Sequence, residues 1–141
     1  MVSETTYSTS DEWRRALRVA DDVRQTAANL QLEPKSEWLR QVLNESADQM
    51  RAAVLWAASQ GSPAGKSHEA LRPLIIAADA ARSDASLASY FLSFLTHQHL
   101  IEESTAGRIA AQLRDIEGGM ETLSRHLREE LGFDPYEASV S

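Results

Sequence analysis

Apolar residues recur every three or four positions in four stretches of the chain, at residues 13–30, 39–57, 71–99 and 106–131. The last stretch shows the pattern most plainly, with Ala106, Ile109, Leu113, Ile116 and Met120 in succession. This spacing places the apolar side chains on one side of an α-helix. A strand would instead need apolar and polar residues to alternate, and no stretch shows that alternation. The pattern therefore predicts four amphipathic helices and an all-α fold.

Short polar segments separate the four stripes. They are "EPKSEW", in which Pro34 suits the end of one helix and the start of another, and the Gly- and Ser-rich "QGSPAGKS". The third stripe passes through "RSDAS" without losing phase, so we expect one long helix there. Thr9 stands three residues before Glu12, the spacing of a capping box, and Gly132 is placed to close helix four in a left-handed conformation.

Helices of about 20 to 30 residues with short connections are typical of an antiparallel up-down-up-down four-helix bundle. A repeat near 3.5 residues favours left-handed packing of the helices. We expect residues 1–141 to form this single domain, with residues 1–9 and 133–141 as flexible tails.

Composition narrows the classes of function. The chain has no cysteine, which excludes disulfides and thiolate metal sites and fits a reducing cytoplasm. A formal net charge of −7 opposes broad attraction to nucleic acid and to anionic membranes. The start "MVSETTYSTSDEW" has no apolar segment of the kind found in secretory signals. We therefore expect a cytoplasmic protein that does not enter membranes.

Helices two and three carry more apolar residues than one bundle seam requires. Between Pro73 and Ile101 only Asp79, Arg82 and Asp84 are charged, and these charges also interrupt any membrane span. The apolar residues off the seam are Ile75, Ile76, Leu87, Tyr90, Phe91, Phe94 and Ile101 in helix three, and Val42, Val54, Leu55 and Trp56 in helix two. A helix that is apolar nearly all round should be buried nearly all round.

A second subunit is the simplest way to bury these additional apolar residues, because each helix of a monomeric bundle keeps one side in water. Hiding about 500 Å² of apolar surface would contribute about 12 kcal/mol before the costs of association. We therefore predict a homo-oligomer whose interface contains Trp56, Ile76, Tyr90, Phe91 and Phe94. The alternative is that Tyr90 or Phe94 packs under the long loop or the C-terminal tail.

The histidines do not predict a chemical site. His97 and His99 lie two residues apart, so on a helix they point about 200° from each other and cannot share a metal. His99 continues the core stripe of helix three, and we expect His97 and His99 to be structural residues at the end of that helix. No Glu-x-x-His is present, which removes the di-iron interpretation of a four-helix bundle. We predict no catalytic residue, no metal and no cofactor.

Two small arginine clusters are the candidates for contact with phosphates. Arg14, Arg15 and Arg18 belong to helix one, and Arg125 and Arg128 belong to helix four. Acidic neighbours surround both clusters, which favours a solvated face of ion pairs. The pair Gly118-Gly119 inside helix four costs helix stability, and close approach of a neighbouring helix would explain it.

Taken in order, these features resemble a small bacterial family of four-helix-bundle proteins. The family is named for members encoded in intervening sequences of 23S (large-subunit) ribosomal RNA genes, and it includes the accessory variability determinant of diversity-generating retroelements. The likeness is best in "LIEESTAGRIAAQLRDIEGGMETLSRHL", residues 100–127, and extends to "DEWRRALRVADDVRQTA" in helix one. The resemblance implies a homopentamer around a central opening, without known catalytic residues.

For the retroelement member, the same resemblance implies binding to reverse transcriptase and nucleic acid. Those members are strongly basic, whereas this chain is acidic and its second helix lacks their Asn-rich, Glu-Gly ending. The first hypothesis is therefore a non-enzymatic oligomeric scaffold, suspected to be a homopentamer, that binds itself and a protein partner. The second is an accessory protein that binds nucleic acid or reverse transcriptase, and the third is an enzyme or metal protein.

Overall fold

Each of the four apolar stripes forms a helix in the computed structural model, which describes residues 9–61 and 65–132. The elements are α1 (Thr9–Asn29), a 3₁₀ turn (Pro34–Ser36), α2 (Glu37–Ala58), α3 (His68–His97) and α4 (Glu103–Leu131). The described residues contain no strand. The all-α prediction is thus confirmed. The predicted flexible tails lie outside the described residues, except that Thr9 is the first residue of α1.

The helices form a four-helix bundle in which neighbours in the chain are neighbours in space, and α4 closes the bundle against α1. Ion pairs across α1 and α2 show that these helices are antiparallel. Arg24 near the end of α1 contacts Asp48 in α2, while Asp21, earlier in α1, contacts Arg51, later in α2. This is the up-down-up-down arrangement expected from the short connections. The left-handed packing stays a prediction.

Small residues contribute much of the core on α1 and the middle of α3, and large residues contribute most of it on α2 and α4. Fully buried alanines occupy α1 and the middle of α3, namely Ala16, Ala20, Ala27, Ala78, Ala81, Ala85 and Ala88. Large side chains occupy α2 and α4, namely Leu39, Leu43, Met50, Ile109, Leu113, Ile116, Met120 and Leu123. Large residues opposite small ones allow the helices to approach closely without leaving voids.

The buried sides of α2 and α3 are wider than the spacing of apolar residues in the sequence predicted. Ile75 and Val54, which we expected to belong to the apolar surplus, are completely buried. Ile101 and Val42 are partly buried. The reason is that α3 packs against both α2 and α4, and α2 packs against both α1 and α3, so two sides of each helix contribute to the core. The true surplus is therefore smaller and more localised than the sequence suggested.

The end of α3 corrects the expectation for His99. The helix runs unbroken through residues 83–86, as predicted, but it ends at His97. His99 is exposed and has a positive φ of 58°, while the Leu100 N–H donates to the Leu95 carbonyl at 2.9 Å. These bonds form a left-handed helix end of the Schellman type. His99 therefore closes α3 and does not continue the core stripe.

The C-terminus of α1 is capped by an arginine from α2. The last carbonyls of a helix have no partner within that helix, and the last turn of α1 has no basic residue of its own. The Arg40 guanidinium donates to the carbonyls of Ala27, Ala28 (3.1 Å) and Leu30 (3.0 Å). It also donates to the Glu37 carboxylate, and this hydrogen bond lowers the pKa of Glu37 from its ordinary value. Arg40 thereby joins the first two helices.

The two adjacent glycines of α4 have different surroundings. A methyl group at Gly119 would lie 2.5 Å from Glu12 Oε1 of α1, whereas nothing lies within 4 Å of the corresponding position at Gly118. Glu12 is buried. Its Oε1 lies 3.6 Å from the Arg15 guanidinium, and this oxygen has no hydrogen-bond partner among the described residues. The Glu12 side chain therefore packs on α4. The predicted capping box involves the Thr9 side chain, which lies outside the described side chains, so it stays a prediction. Close approach to α1 explains Gly119 but not Gly118.

We expect Gly118→Ala to raise the free energy of unfolding by about 1 kcal/mol, because alanine is the better helix former. The free energy of unfolding of Gly119→Ala should be at least about 1 kcal/mol lower than that of Gly118→Ala, because Glu12 must move aside. Urea denaturation of both variants measures the difference. In a Glu12→Ala background the two substitutions should become equivalent. Equal effects in the presence of Glu12 would contradict the contact.

Candidate interaction surface

The exposed large apolar residues lie mainly on one side of the bundle. On α2, Trp38 and Trp56 are 18 positions apart, about five helical turns, and so share one side of the helix. On α3, the spacing of 11, 3 and 4 residues places the exposed Ile76, Leu87, Tyr90 and Phe94 in one row, opposite the core. With the half-buried Phe91, these seven residues are called the α2–α3 face below: Trp38, Trp56, Ile76, Leu87, Tyr90, Phe91 and Phe94.

Aromatic contacts fix one end of the α2–α3 face. The Trp38 ring lies 6.1 Å from Phe91 and 6.2 Å from Phe94, between ring centroids. Tyr90 meets Phe91 edge to face at 5.3 Å. These separations are typical of favourable aromatic pairs. The rings therefore support one another across the two helices.

The apolar surface on this face lies at the upper end of what an isolated chain exposes in one patch. Tyr90 is 68% exposed, and the other exposed members lie between 39% and 49%. Together these side chains present on the order of 600 Å² to solvent. A specific interface buries about 800 Å² per partner. The α2–α3 face is therefore large enough to form most of one side of a stable interface.

All five residues predicted for an oligomer interface lie on the α2–α3 face. Trp56, Ile76, Tyr90 and Phe94 are exposed, and Phe91 is half-buried beneath its aromatic neighbours. The prediction missed Trp38. Its spacing from Trp56 was the available signal, since two tryptophans five turns apart share a side of the helix.

A carboxylate lies beside the α2–α3 face. Asp84 is seven residues before Phe91 and seven after the buried Ala77, so it belongs to the row of α3 that faces α2. Asp84 is half-buried and makes no hydrogen bond or ion pair with any described residue. Burial raises the pKa of Asp84 to about 6. Its charge therefore changes in the range between weakly acidic and neutral pH.

A polar cleft separates α1 from α4 on the other side of the bundle. It has a volume of about 640 Å³ near the end of α1 and extends toward a second hollow of about 560 Å³ that shares Asp22 with it. Asp22 Oδ2 accepts a hydrogen bond from Gln112 Nε2 at 3.0 Å. Charges of both signs line the hollows, with Arg108 and Glu102 in the first and Arg18 and Asp115 in the second. This mixture selects no ligand charge. The Thr105 hydroxyl donates to the Glu102 carboxylate at 3.4 Å, at the start of α4.

The structure does not bring the two arginine clusters together within one chain. Arg15 and Arg18 line the hollow between α1 and α4, and Arg14 lies 3.3 Å from Asp11. Arg125 and Arg128 line a different hollow, between α3 and α4, where Arg128 contacts Asp79 at 2.7 Å. Carboxylates thus stand beside both clusters. The arrangement is that of a salt-bridged surface.

His97 and His126 have local partners. His126 Nδ1 lies 3.7 Å from the Glu129 carboxylate, one turn later in α4. His97 Nδ1 lies 2.9 Å from the Ser93 carbonyl, one turn earlier in α3. Residues 9–61 and 65–132 contain no group of three or more His, Asp or Glu side chains that could hold a metal ion. Over the same residues, no helix is both long and apolar enough to cross a membrane.

The fold and surface define a class, an antiparallel four-helix bundle with one exposed apolar face. Comparisons of the chain with protein-family models, with curated proteins and with solved structures returned no match. The resemblance to the family with the intervening-sequence proteins therefore stays a prediction from the sequence.

Proposed function

We propose that this protein is a non-enzymatic scaffold that assembles with further copies of itself through the α2–α3 face. The observation that carries the proposal is the concentration of exposed aromatic and aliphatic side chains on two adjacent helices. Large apolar patches on otherwise charged surfaces are characteristic of protein interfaces. Aromatic residues are also the side chains that contribute most to binding energy. The cysteine-free composition supports a cytoplasmic location.

The number of copies is taken from the family resemblance, which implies five. A ring of five requires each copy to use two different surfaces, because its contacts are heterologous. The α2–α3 face of one copy would supply one surface, and a different surface of the neighbouring copy would contact it. A protein partner could then bind the assembled ring.

We expect the protein to be an oligomer at micromolar concentration. Hiding about 600 Å² of apolar surface contributes about 15 kcal/mol per copy before the costs of association, which is enough for a stable assembly. Multi-angle light scattering gives the mass to compare with the chain mass of 15.6 kDa. A fivefold mass supports the pentamer, another multiple supports self-assembly with a different number of copies, and the mass of one chain contradicts the proposal.

The alternative function, binding of nucleic acid or reverse transcriptase, has less support. It requires arginines of several copies to be brought together by symmetry, and carboxylates stand beside both clusters. The net charge of −7 also repels phosphate backbones. A mobility-shift titration at low salt with RNA, DNA and their hybrid tests this alternative directly.

A further inference from the structure

We propose that Asp84 tunes self-assembly at the α2–α3 face: copies associate more tightly when its carboxyl group is protonated than when it is ionised. This inference rests on the proposed function, because it assigns a regulator to the same surface. Asp84 lies at the level of Leu87, in the row of α3 that leads to Phe91. A second copy that covered Leu87 and Phe91 would also exclude water from Asp84.

No cation on α3 compensates the charge of Asp84. The residues one turn before and after it are Ala80, Ala81, Leu87 and Ala88, all apolar. Arg82, two residues before Asp84, points to the other side of α3 and lines the hollow between α3 and α4. On that side two further charged groups have partners of their own. Arg128 contacts Asp79 at 2.7 Å, and Glu117 accepts a hydrogen bond from Ser86 at 2.9 Å.

The neighbouring helix α2 offers another carboxylate at this level. Trp38 contacts Phe91, and α2 and α3 are antiparallel, so Glu45, seven residues after Trp38, stands at the level of Asp84. Glu45 is exposed, and its Oε2 accepts from Gln41 Nε2 at 3.4 Å. The basic residues of α2 face α1 instead.

Arg51, in the second half of α2, contacts Asp21 of α1 at 2.8 Å. Arg40, in the first turn, binds the carbonyls at the end of α1 and the Glu37 carboxylate. Asp48, between them, contacts Arg24 of α1 at 2.8 Å. An ionised Asp84 would therefore be covered without a counter-charge.

The direction of the pH effect follows from linkage. Burial has already raised the pKa of Asp84 to about 6 in the separate chain, and covering the group would raise the pKa further. The assembly then binds more protons than the separate chains, so acidification favours assembly. Above about pH 6, association should weaken by up to about tenfold per pH unit for each Asp84 that is covered.

The test compares the association of the full chain at about pH 5 and about pH 7.5 by analytical ultracentrifugation, with three proteins in parallel. For the wild-type chain, we expect the dissociation constant to be at least about tenfold larger at the higher pH. Asp84→Asn should associate at both pH values as tightly as the wild type does at low pH. Glu45→Gln should respond to pH as the wild type does.

Glu45→Gln is the matched control, because it removes the same charge from the same region of an acidic protein. It separates the local effect of Asp84 from the general loss of repulsion on acidification. If Asp84→Asn keeps the wild-type pH response, or if the wild type has none, the inference is overturned while self-assembly stands. If all three proteins are single chains at both pH values, the proposed function fails as well.

Discussion

Replacing Arg40 with alanine is expected to lower the free energy of unfolding by about 2–3 kcal/mol. The guanidinium donates to the carbonyls of Ala27, Ala28 and Leu30 at the end of α1. Among these, the Ala27 carbonyl also accepts from the Leu30 N–H at 3.3 Å. Arg40 also places a positive charge at the negative end of the α1 dipole. Without Arg40 the last turn of α1 would lose both contributions, and the connection to α2 would lose its anchor.

Urea denaturation of Arg40→Ala beside Arg51→Ala measures this effect. Arg51 is the matched control, because it is an arginine of α2 that also contacts α1, but through one exposed carboxylate, Asp21. Exposed ion pairs contribute little, so Arg51→Ala should cost about 0.5 kcal/mol. Arg40→Lys should recover less than half of the loss, because an ammonium cannot span three carbonyls. Equal losses for the two alanine variants would contradict the capping role.

The fold was predictable because the period of apolar residues is a local signal. The stripe through residues 71–95 stays in phase across "RSDAS", and the structure shows one continuous helix there. Gly132 was predicted to close α4 in a left-handed conformation, and its φ is 86°. Glycine signals such a position because it lacks a Cβ. His99 takes the same conformation at the end of α3, but a histidine gives no such signal, so it was wrongly assigned to the core stripe.

The interhelical contacts were not predictable in the same way. Arg40 reaches carbonyls ten or more positions earlier, across a turn whose path the sequence does not specify. Glu12 had a local explanation as part of a capping box, and its packing against Gly119 depends on how α1 meets α4. These contacts depend on the relative placement of helices. A periodic pattern indicates which side of a helix is buried but not which side chain meets which neighbour.

The candidate site was predicted in part for the same reason. Apolar residues of α3 that lie outside its core stripe indicated a second apolar side, and Tyr90 and Phe94 are exposed there. Ile75 was assigned to that side and is buried, because the packing of α3 against two helices widens the core. Asp84 entered the prediction only as a charge that interrupts a membrane span. Its half-burial beside the α2–α3 face depends on how the helices pack, which the sequence pattern does not specify.

Leu87 and Leu55 provide the most direct test of where copies of the chain meet. They are the same residue type, with exposed fractions of 44% and 45%. Leu87 lies in the middle of the α2–α3 face. Leu55 follows Asp48 by seven residues and so lies on the side of α2 that faces α1, where Asp48 contacts Arg24. A substitution to glutamate is therefore matched in chemistry and exposure, and differs only in location.

We expect Leu87→Glu to weaken self-assembly by about 100-fold or more, because it removes apolar contact and introduces a charge without a partner into a desolvated interface. Leu55→Glu should change the dissociation constant by no more than about twofold. Both substitutions are at exposed positions, so the helical circular dichroism signal should be retained. Sedimentation of both variants over a concentration series gives the comparison. No weakening by Leu87→Glu would exclude the α2–α3 face as an interface, and a larger effect at Leu55 would place the main interface on the α1 side of α2. Equal weakening would contradict the prediction for Leu55 and place it on the second contact surface of the ring.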